Sequence, residues 1–406
     1  MKTNRRTFVA GVSAAAVLSG SRVAYAQKKY DDGATDKEIK IGHTNPYSGP
    51  ASSYGVIGKC IEAYWKSVND RGGINGRMVK FVTLDDGYSP PKTVEMVRQL
   101  VEQVKVLALF NTLGTPTNTA IHKYMNQKKV PHLFLATGAS KWGKPKDFPW
   151  TMGYQPDYHT EAVIYAKHIL ANVKDAKIAV LMQNDDYGKD YWEGFKDGLG
   201  KEANRVVKHV TYEVTDPTVD SQTIQMKDAG ANVFFNISIP KFAAQSMRKA
   251  AEIGWKPVQY LNNVSAQVST TMKPAGFENV QGVITAAWLK DPTDKQWEND
   301  AELKTWREWM GKYMPGANLS DVNYVYAYSV SFLMEQTLKA CGDNLTRENL
   351  MKMAANHKKL RVPGLLPGIT VSTSPTDFYP VQAVRLQRFK AESWELFGEV
   401  LSAESS

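Results

Sequence analysis

The chain has 406 residues, 50 Lys and Arg against 41 Asp and Glu, and two cysteines. That length excludes a single compact core and predicts two domains, and no run approaches the ~20 uninterrupted apolar residues of a membrane-spanning helix. The formal net charge of +9 is spread without a dense basic block, which excludes nucleic acid as the main partner, since counterion-release binding needs a concentrated cationic face.

Residues 1–26 read as an export signal. Arg5 and Arg6 lead into a short apolar run over 8–18, and the segment ends at Ala24-Tyr25-Ala26, an A-x-A cleavage site. The paired arginines followed by Thr7, Phe8 and Val9 resemble a twin-arginine signal, with ordinary secretion as the other route. Its removal takes away Lys2, Arg5, Arg6 and Arg22 and no acid, so the net charge falls from +9 to +5 (9 minus 4). Residues 27–37 are polar and are expected to form a disordered leader.

From residue 38 onward, short β-branched and aromatic runs alternate with longer stretches of helical period. Strands are expected at 39–42, 79–84, 106–111, 132–136, 177–182, 206–214, 233–238, 258–261 and 282–286. Between them, apolar residues such as Val94, Val97, Leu100, Val101 and Val104 stripe one helix face. This alternation predicts an α/β chain built from βαβ crossovers, as two doubly wound parallel-sheet lobes. Ligands of such sheets bind at the carboxyl ends of the strands, so the polar loops there are the residues to watch. Trp306, Trp309 and Tyr313, then Val325, Tyr328, Phe332, Met334 and Leu338, form helical stripes that read as core. Cys60 and Cys341 could pair in an oxidising compartment or remain buried thiols.

Enzyme chemistry finds little support. No histidines stand at a metal-binding spacing, since His159 and His168 are nine apart and His122 and His132 ten. Gly138-Ala139-Ser140-Lys141-Trp142 begins like a nucleophile elbow but lacks the closing glycine. Gly114-Thr115-Pro116 is followed by no Gly-Lys-Ser/Thr, and the first strand by no GxGxxG, so phosphate and dinucleotide loops are both missing. Asp85-Asp86 and Asp185-Asp186 read as turn residues at strand ends.

Three segments carry a family resemblance: Ser48-Gly49-Pro50 with Tyr54-Gly55, then Asn69-Asp70-Arg71-Gly72-Gly73-Ile74-Asn75-Gly76-Arg77, and Asp186-Tyr187-Gly188. With the order of the strands, they make the chain similar to the leucine/isoleucine/valine-binding type of periplasmic receptor, which serves ABC importers. The resemblance implies a type I fold with a three-segment hinge, lobe 1 being 38–155 plus 288–366 and lobe 2 being 156–287 plus 367–400. It further implies a monomeric, periplasmic receptor with no cofactor, metal or catalytic residue, whose partners are a small-molecule ligand and the permease subunits.

Carried over by motif, the resemblance places Tyr54, Thr115, Gly138, Ala139 and Ser140 on the first-lobe side of the ligand. Thr115 opens a helix whose N–H groups suit a carboxylate, and Gly138 would let a ligand approach the backbone. Trp142, Tyr154 and Gln155 lie close by in sequence, and Tyr187 matches the family's ring over the ligand. Where amino-acid receptors of this type place a tyrosine and a glutamate on the α-ammonium, this chain has Ile239 and Val264. A buried ammonium would be unpaired there. The ligand expected is therefore a small organic acid without an α-amino group, aromatic or branched. A slip of the alignment would bring Asn236, Asn262 or Asn263 into the cleft and suit an amide or polar ligand instead. A branched-chain amino acid receptor, a ligand sensor for a signalling partner and a secreted α/β enzyme are the alternatives.

Overall fold

A computed structural model describes residues 28–402, so the export signal expected at 1–26 lies outside the described residues. The expected disordered leader is corrected by the structure. Strand β1 (Lys29–Tyr30) pairs in parallel with Asn344–Leu345. The Tyr30 ring lies under the Arg77 guanidinium, which also donates to its hydroxyl. Polar composition concealed a segment held by backbone pairing and one aromatic anchor.

The first sheet contains β2 (Glu38–Asn45), β3 (Met78–Asp85), β4 (Ala108–Phe110), β5 (His132–Leu135) and β6 (Thr151–Gly153), in the order β3-β2-β4-β5-β6, all parallel. Helices α1 (Gly55–Asp70), α2 (Pro90–Arg98) and α3 (Thr115–Lys128) connect its strands. Helix α1 buries Ile57, Cys60, Ile61, Tyr64, Trp65 and Val68, a stripe of period three to four that faces the core. It stops where Gly72 and Gly73 take φ of 95° and 73°, left-handed backbone that is easily reached only by glycine. Asn69 then bonds both the N–H and the C=O of Val79, fixing the register of β3 against the helix end.

The second sheet has the order β14-β13-β11-β10-β9-β7-β8. Its parallel part is β7 (Ile178–Gln183), β8 (Val206–Tyr212), β9 (Val233–Ile237), β10 (Val258–Leu261) and β11 (Ile284–Ala287). Helices α4 (Tyr158–Asn172), α5 (Asp186–Leu199), α6 (Asp220–Asp228) and α7 (Pro240–Glu252) lie along it, with a single turn α8 (Lys273–Ala275) after β10. The sheet is not wholly parallel as expected from the sequence. Antiparallel strands β13 (Ala383–Lys390) and β14 (Ser393–Ser402) close its far edge.

Between β11 and β13 the chain returns to the first sheet. Helices α9 (Ala301–Tyr313) and α10 (Val322–Cys341) pack on α1, with Tyr64 within 6.0 Å of Trp309 and 5.3 Å of Tyr328, centre to centre. The aromatic stripes of this region are thus core. Strand β12 (Asn344–Leu345) and α11 (Arg347–Ala354) follow. Residues 367–380 still pack on this lobe, through the Leu360–Val371 bridge and the Thr373 hydroxyl, which accepts from the His357 N–H and donates to the Ala354 carbonyl. The chain enters the second sheet at Ala383. Cys60 and Cys341 are buried free thiols.

Candidate functional site

The carboxyl ends of both sheets face a common cavity. From the first lobe it takes Tyr54 and Ile57 at the start of α1, Tyr88 after β3, Leu113–Gly114–Thr115 after β4 and Ala136 after β5. Gln155 and Tyr158 stand at the crossing after β6. The second lobe contributes Tyr187, Ile239, Asn263, Val264, Ala266 and Gln267. Ala286, Ala287, Trp288, Leu289 and Asp291, then Val322, Asn323 and Tyr326, and finally Gln387, complete the wall.

Four helices present their first residues to this space: α3 through Thr115, α5 through Tyr187, α7 through Ile239 just before it, and α10 through Val322 and Asn323. Aligned peptide dipoles make such ends electropositive. Two are capped, α5 by Asp185 and α10 by Asp321, while α7 has no side-chain cap, the N–H of its N-cap Ile239 donating to the Tyr212 hydroxyl at 3.1 Å. No side chain caps α3, whose N-cap is Gly114 at φ 101°. A Cβ at Gly114 would meet the Tyr88 ring at 2.6 Å, so glycine is required for that ring to line the cavity. No Lys, Arg or His is among the lining residues, and Asp291 is their single carboxyl.

The lobes touch around the cavity. The Tyr54 hydroxyl donates to the Val264 carbonyl at 2.7 Å, and Gln267 bridges that carbonyl, at 3.0 Å, to Asn323 Oδ1, at 3.2 Å. Elsewhere the N–H and hydroxyl of Ser140 donate to the two oxygens of Asp190 at 2.8 and 2.7 Å. Lys141 pairs with Asp186 at 2.7 Å, which holds the Asp186 carboxyl below its usual range. Burial raises that of Asp190 against its bonds from Ser140. The hydroxyls of Tyr54 and Tyr187 are held far above the ordinary tyrosine range by burial, so both enter as neutral groups.

Six of the residues singled out from the sequence meet in this wall: Tyr54, Thr115, Gln155, Tyr187, Ile239 and Val264. Five do not line it. The space beside Gly138 is filled by the protein itself, since a Cβ there would meet the Pro156 carbonyl at 2.5 Å and the Tyr158 ring at 2.6 Å. This corrects the expectation that a ligand approaches there. Ala139 is buried, its N–H turned to Thr137, and Ser140 is engaged by Asp190 as above. Trp142 donates to Thr137 and stands edge-on to His122 at 4.8 Å. Tyr154 packs among Phe134, Trp288 and Tyr326. Sequence proximity does not determine which way a loop turns its side chains. Of the paired acids, Asp85 and Asp86 serve the turn after β3, Asp85 accepting from Tyr47, Ser48 and Gly87 and Asp86 from Tyr88 and Thr93, whereas Asp185 caps α5 and Asp186 opens it.

Tyr88, Gln267, Trp288, Asp291, Asn323 and Tyr326 were not anticipated. Tyr88 and Gln267 follow strand ends and were findable by that rule. The other four arrive from the segment after β11, which nothing local marks as cavity-forming. The hydroxyl of Tyr187, Oε1 of Gln267 and Nδ2 of Asn323 are buried in the wall without a hydrogen-bond partner, the state of groups that await a ligand or water. Among the described residues no cluster of His, Cys, Asp or Glu could hold a metal ion, and no helix is long and apolar enough to cross a membrane.

The family model for periplasmic binding proteins matches residues 38–393. The chain belongs to that family. This periplasmic binding protein is 26% identical over 358 residues, 85% of its own length and 86% of the relative's, to Leu/Ile/Val-binding protein homolog 1 of Brucella suis. It is 25% identical to an amino acid binding protein of Pseudomonas aeruginosa over 262 residues, 61% of this chain and 66% of that one. Among solved structures, a branched chain amino acid ABC transporter protein from Thermus thermophilus with bound valine superposes with TM-score 0.81 at 16% identity, covering 90% of this chain and 97% of that one. A fatty acid ABC transporter substrate-binding protein from Thermomonospora curvata gives 0.80 at 19%, covering 93% and 97%. The binding protein thus has the two-lobed type I fold, its family is extracytoplasmic, and its relatives are binding proteins rather than enzymes.

Proposed function

We propose that this binding protein captures a small carboxylic acid with a branched or aromatic body between its two lobes and delivers it to the permease of an ABC importer in the inner membrane. The observation that carries the reading is the uncapped N-terminus of α3, which opens at Thr115 into a wall of aromatic and aliphatic side chains with no Lys, Arg or His. On this reading Tyr54, Thr115, Gln155 and Tyr187 contact the ligand, and Ile239 and Val264 supply apolar walls. The lobes turn about crossings near Gln155, Ala287 and the entry into β13. The fatty acid named for the Thermomonospora curvata protein and the valine bound by the Thermus thermophilus protein are examples, on the same fold, of an acid without and with an ammonium.

Calorimetry on matched pairs tests the choice. Isocaproate should bind more tightly than leucine, and phenylpropanoate more tightly than phenylalanine, by at least ~1.4 kcal/mol, tenfold in Kd, because an α-ammonium facing Ile239 and Val264 is desolvated without a partner. Val264→Glu should narrow or reverse the gap. If wild-type protein prefers the amino acids, the acid reading is wrong. Tyr187→Ala should weaken whichever acid binds by about 1 to 3 kcal/mol with the fold intact, and an unchanged Kd would remove Tyr187 from the site. A specific observation favours the amino-acid reading as the second: the Asp291 carboxyl stands in the same wall and could take the ammonium that residues 239 and 264 cannot.

A further inference from the structure

Recognition of a carboxylate and an apolar body leaves Asp291 without a task. The residue is 4% exposed and contributes to the cavity wall together with Trp288 and Leu289. One of its oxygens is fixed: the Thr293 N–H donates to Oδ1 at 2.8 Å and the Thr293 hydroxyl at 2.5 Å. No hydrogen bond among the described residues reaches Oδ2. The neighbouring Lys290 does not answer it, because that ammonium is turned to Asp300 at 2.7 Å and Glu302 at 2.9 Å. Two other buried carboxyls are saturated, whereas Asp321, which caps α10, is bonded through Oδ1 alone. Glu161 accepts from Tyr165, Tyr191 and both nitrogens of Asn263, and Asp185 from Gln183, Tyr187 and Gly188. Oδ2 is not among the fully buried polar atoms, so solvent still reaches it, and a ligand that displaces that solvent without offering a donor leaves the oxygen unmatched at a cost. Burial, with Asp294 and Asp321 adding repulsion, pushes the Asp291 carboxyl up to about 7.

We propose that Asp291 is a specificity-determining residue whose Oδ2 accepts a hydrogen bond from the ligand, so that the ligand is a carboxylic acid bearing a second, donor group, a hydroxyl or an N–H. The inference rests on the reading of the cavity as the ligand site. It does not depend on whether the donor is an ammonium. The donor-bearing acid gains over its parent acid because it alone satisfies Oδ2, and the parent leaves that oxygen unpaired when the lobes close.

Titration calorimetry with 3-phenylpropanoate and its 4-hydroxy derivative, and with isocaproate, 2-hydroxyisocaproate and leucine, measures this on wild-type protein, Asp291→Ala and Asp291→Asn. In wild type at least one donor-bearing acid should bind about tenfold or more tighter than its parent. Asp291→Ala should bring that ratio to about one. Asp291→Asn keeps Oδ1 for the Thr293 turn and directs an N–H into the cavity, so it should reverse the ratio, which also guards against a misfolded alanine variant. If leucine is the donor-bearing acid that gains, and Asp291→Ala cancels the gain, the role of Asp291 stands and the ammonium-free reading falls. Ratios unchanged in Asp291→Ala, or parent acids that bind at least as tightly as every donor-bearing one, overturn the role of Asp291 alone. If none of the five acids binds, both readings fall.

Discussion

Glu161 is 1% exposed and has no cation partner, yet it holds much of the second-lobe wall. Its Oε1 accepts from the Tyr165 hydroxyl at 2.6 Å and the Asn263 N–H at 2.9 Å, and Oε2 from the Tyr191 hydroxyl at 2.9 Å and the Asn263 amide. Asn263 and Val264 line the cavity, and Tyr191 stacks on Tyr158 at 4.4 Å, so one carboxyl positions a loop and a ring. Burial raises its ionisation to about 7 from an ordinary 4.5, opposed by these donors. Between those two values the folded protein keeps a proton that the unfolded chain has released. The contribution of Glu161 to stability is therefore complete below pH 4.5 and is lost as pH rises through about 7. Glutamine can still accept from the Asn263 N–H and carries no ionisation. Glu161→Gln should thus flatten the fall in urea midpoint between pH 5 and 7 relative to wild type. Parallel curves for the two proteins would show that Glu161 is ionised throughout.

At the scale of elements, α5 joins the lobes as well as lining the cavity. Its N-terminal turn sets Tyr187 in the cavity wall, while Asp186 and Asp190 reach Lys141, Thr119 and Ser140 on the first lobe. The Lys141–Asp186 pair is partly exposed and is worth little. Asp190 is better shielded and takes two bonds from Ser140, of which one is to a backbone N–H that would otherwise be left without a partner. Asp190→Ala should therefore speed ligand release by roughly tenfold, about 1.4 kcal/mol, with the thermal midpoint of the free protein little changed. Stopped-flow fluorescence reads the rate. Release at the wild-type rate would show that this contact does not help hold the lobes closed. The same element shows the reach of the family resemblance: of the two residues it proposed here, Tyr187 lines the cavity, while Ser140 is taken by Asp190 of α5.

For the whole molecule, alternating apolar runs with glycine and asparagine between them determined the α/β class, two lobes, and strands that close within a few residues of those read. These are local quantities: backbone conformations available at Gly72 and Gly73, and the burial period of α1, are set by neighbours along the chain. Six of the eleven contacts that the family resemblance proposed line the cavity, and each lies just beyond a parallel strand or at the opening of a helix, at the cleft end of a sheet. The tertiary structure alone decided the rest. The polar segment at Lys29–Tyr30 is ordered because a strand more than three hundred residues away pairs with it. The antiparallel edge at Ala383–Ser402 has a period-two pattern that becomes a strand pair only beside β11. Gly138 has no room for a ligand because Tyr158 folds back over it, and Asp291 reaches the cavity because Thr293 and the returning chain hold its carboxyl there. A side chain's direction within a loop depends on which distant groups fill the space around it, and that information is not carried by the residues beside it in sequence.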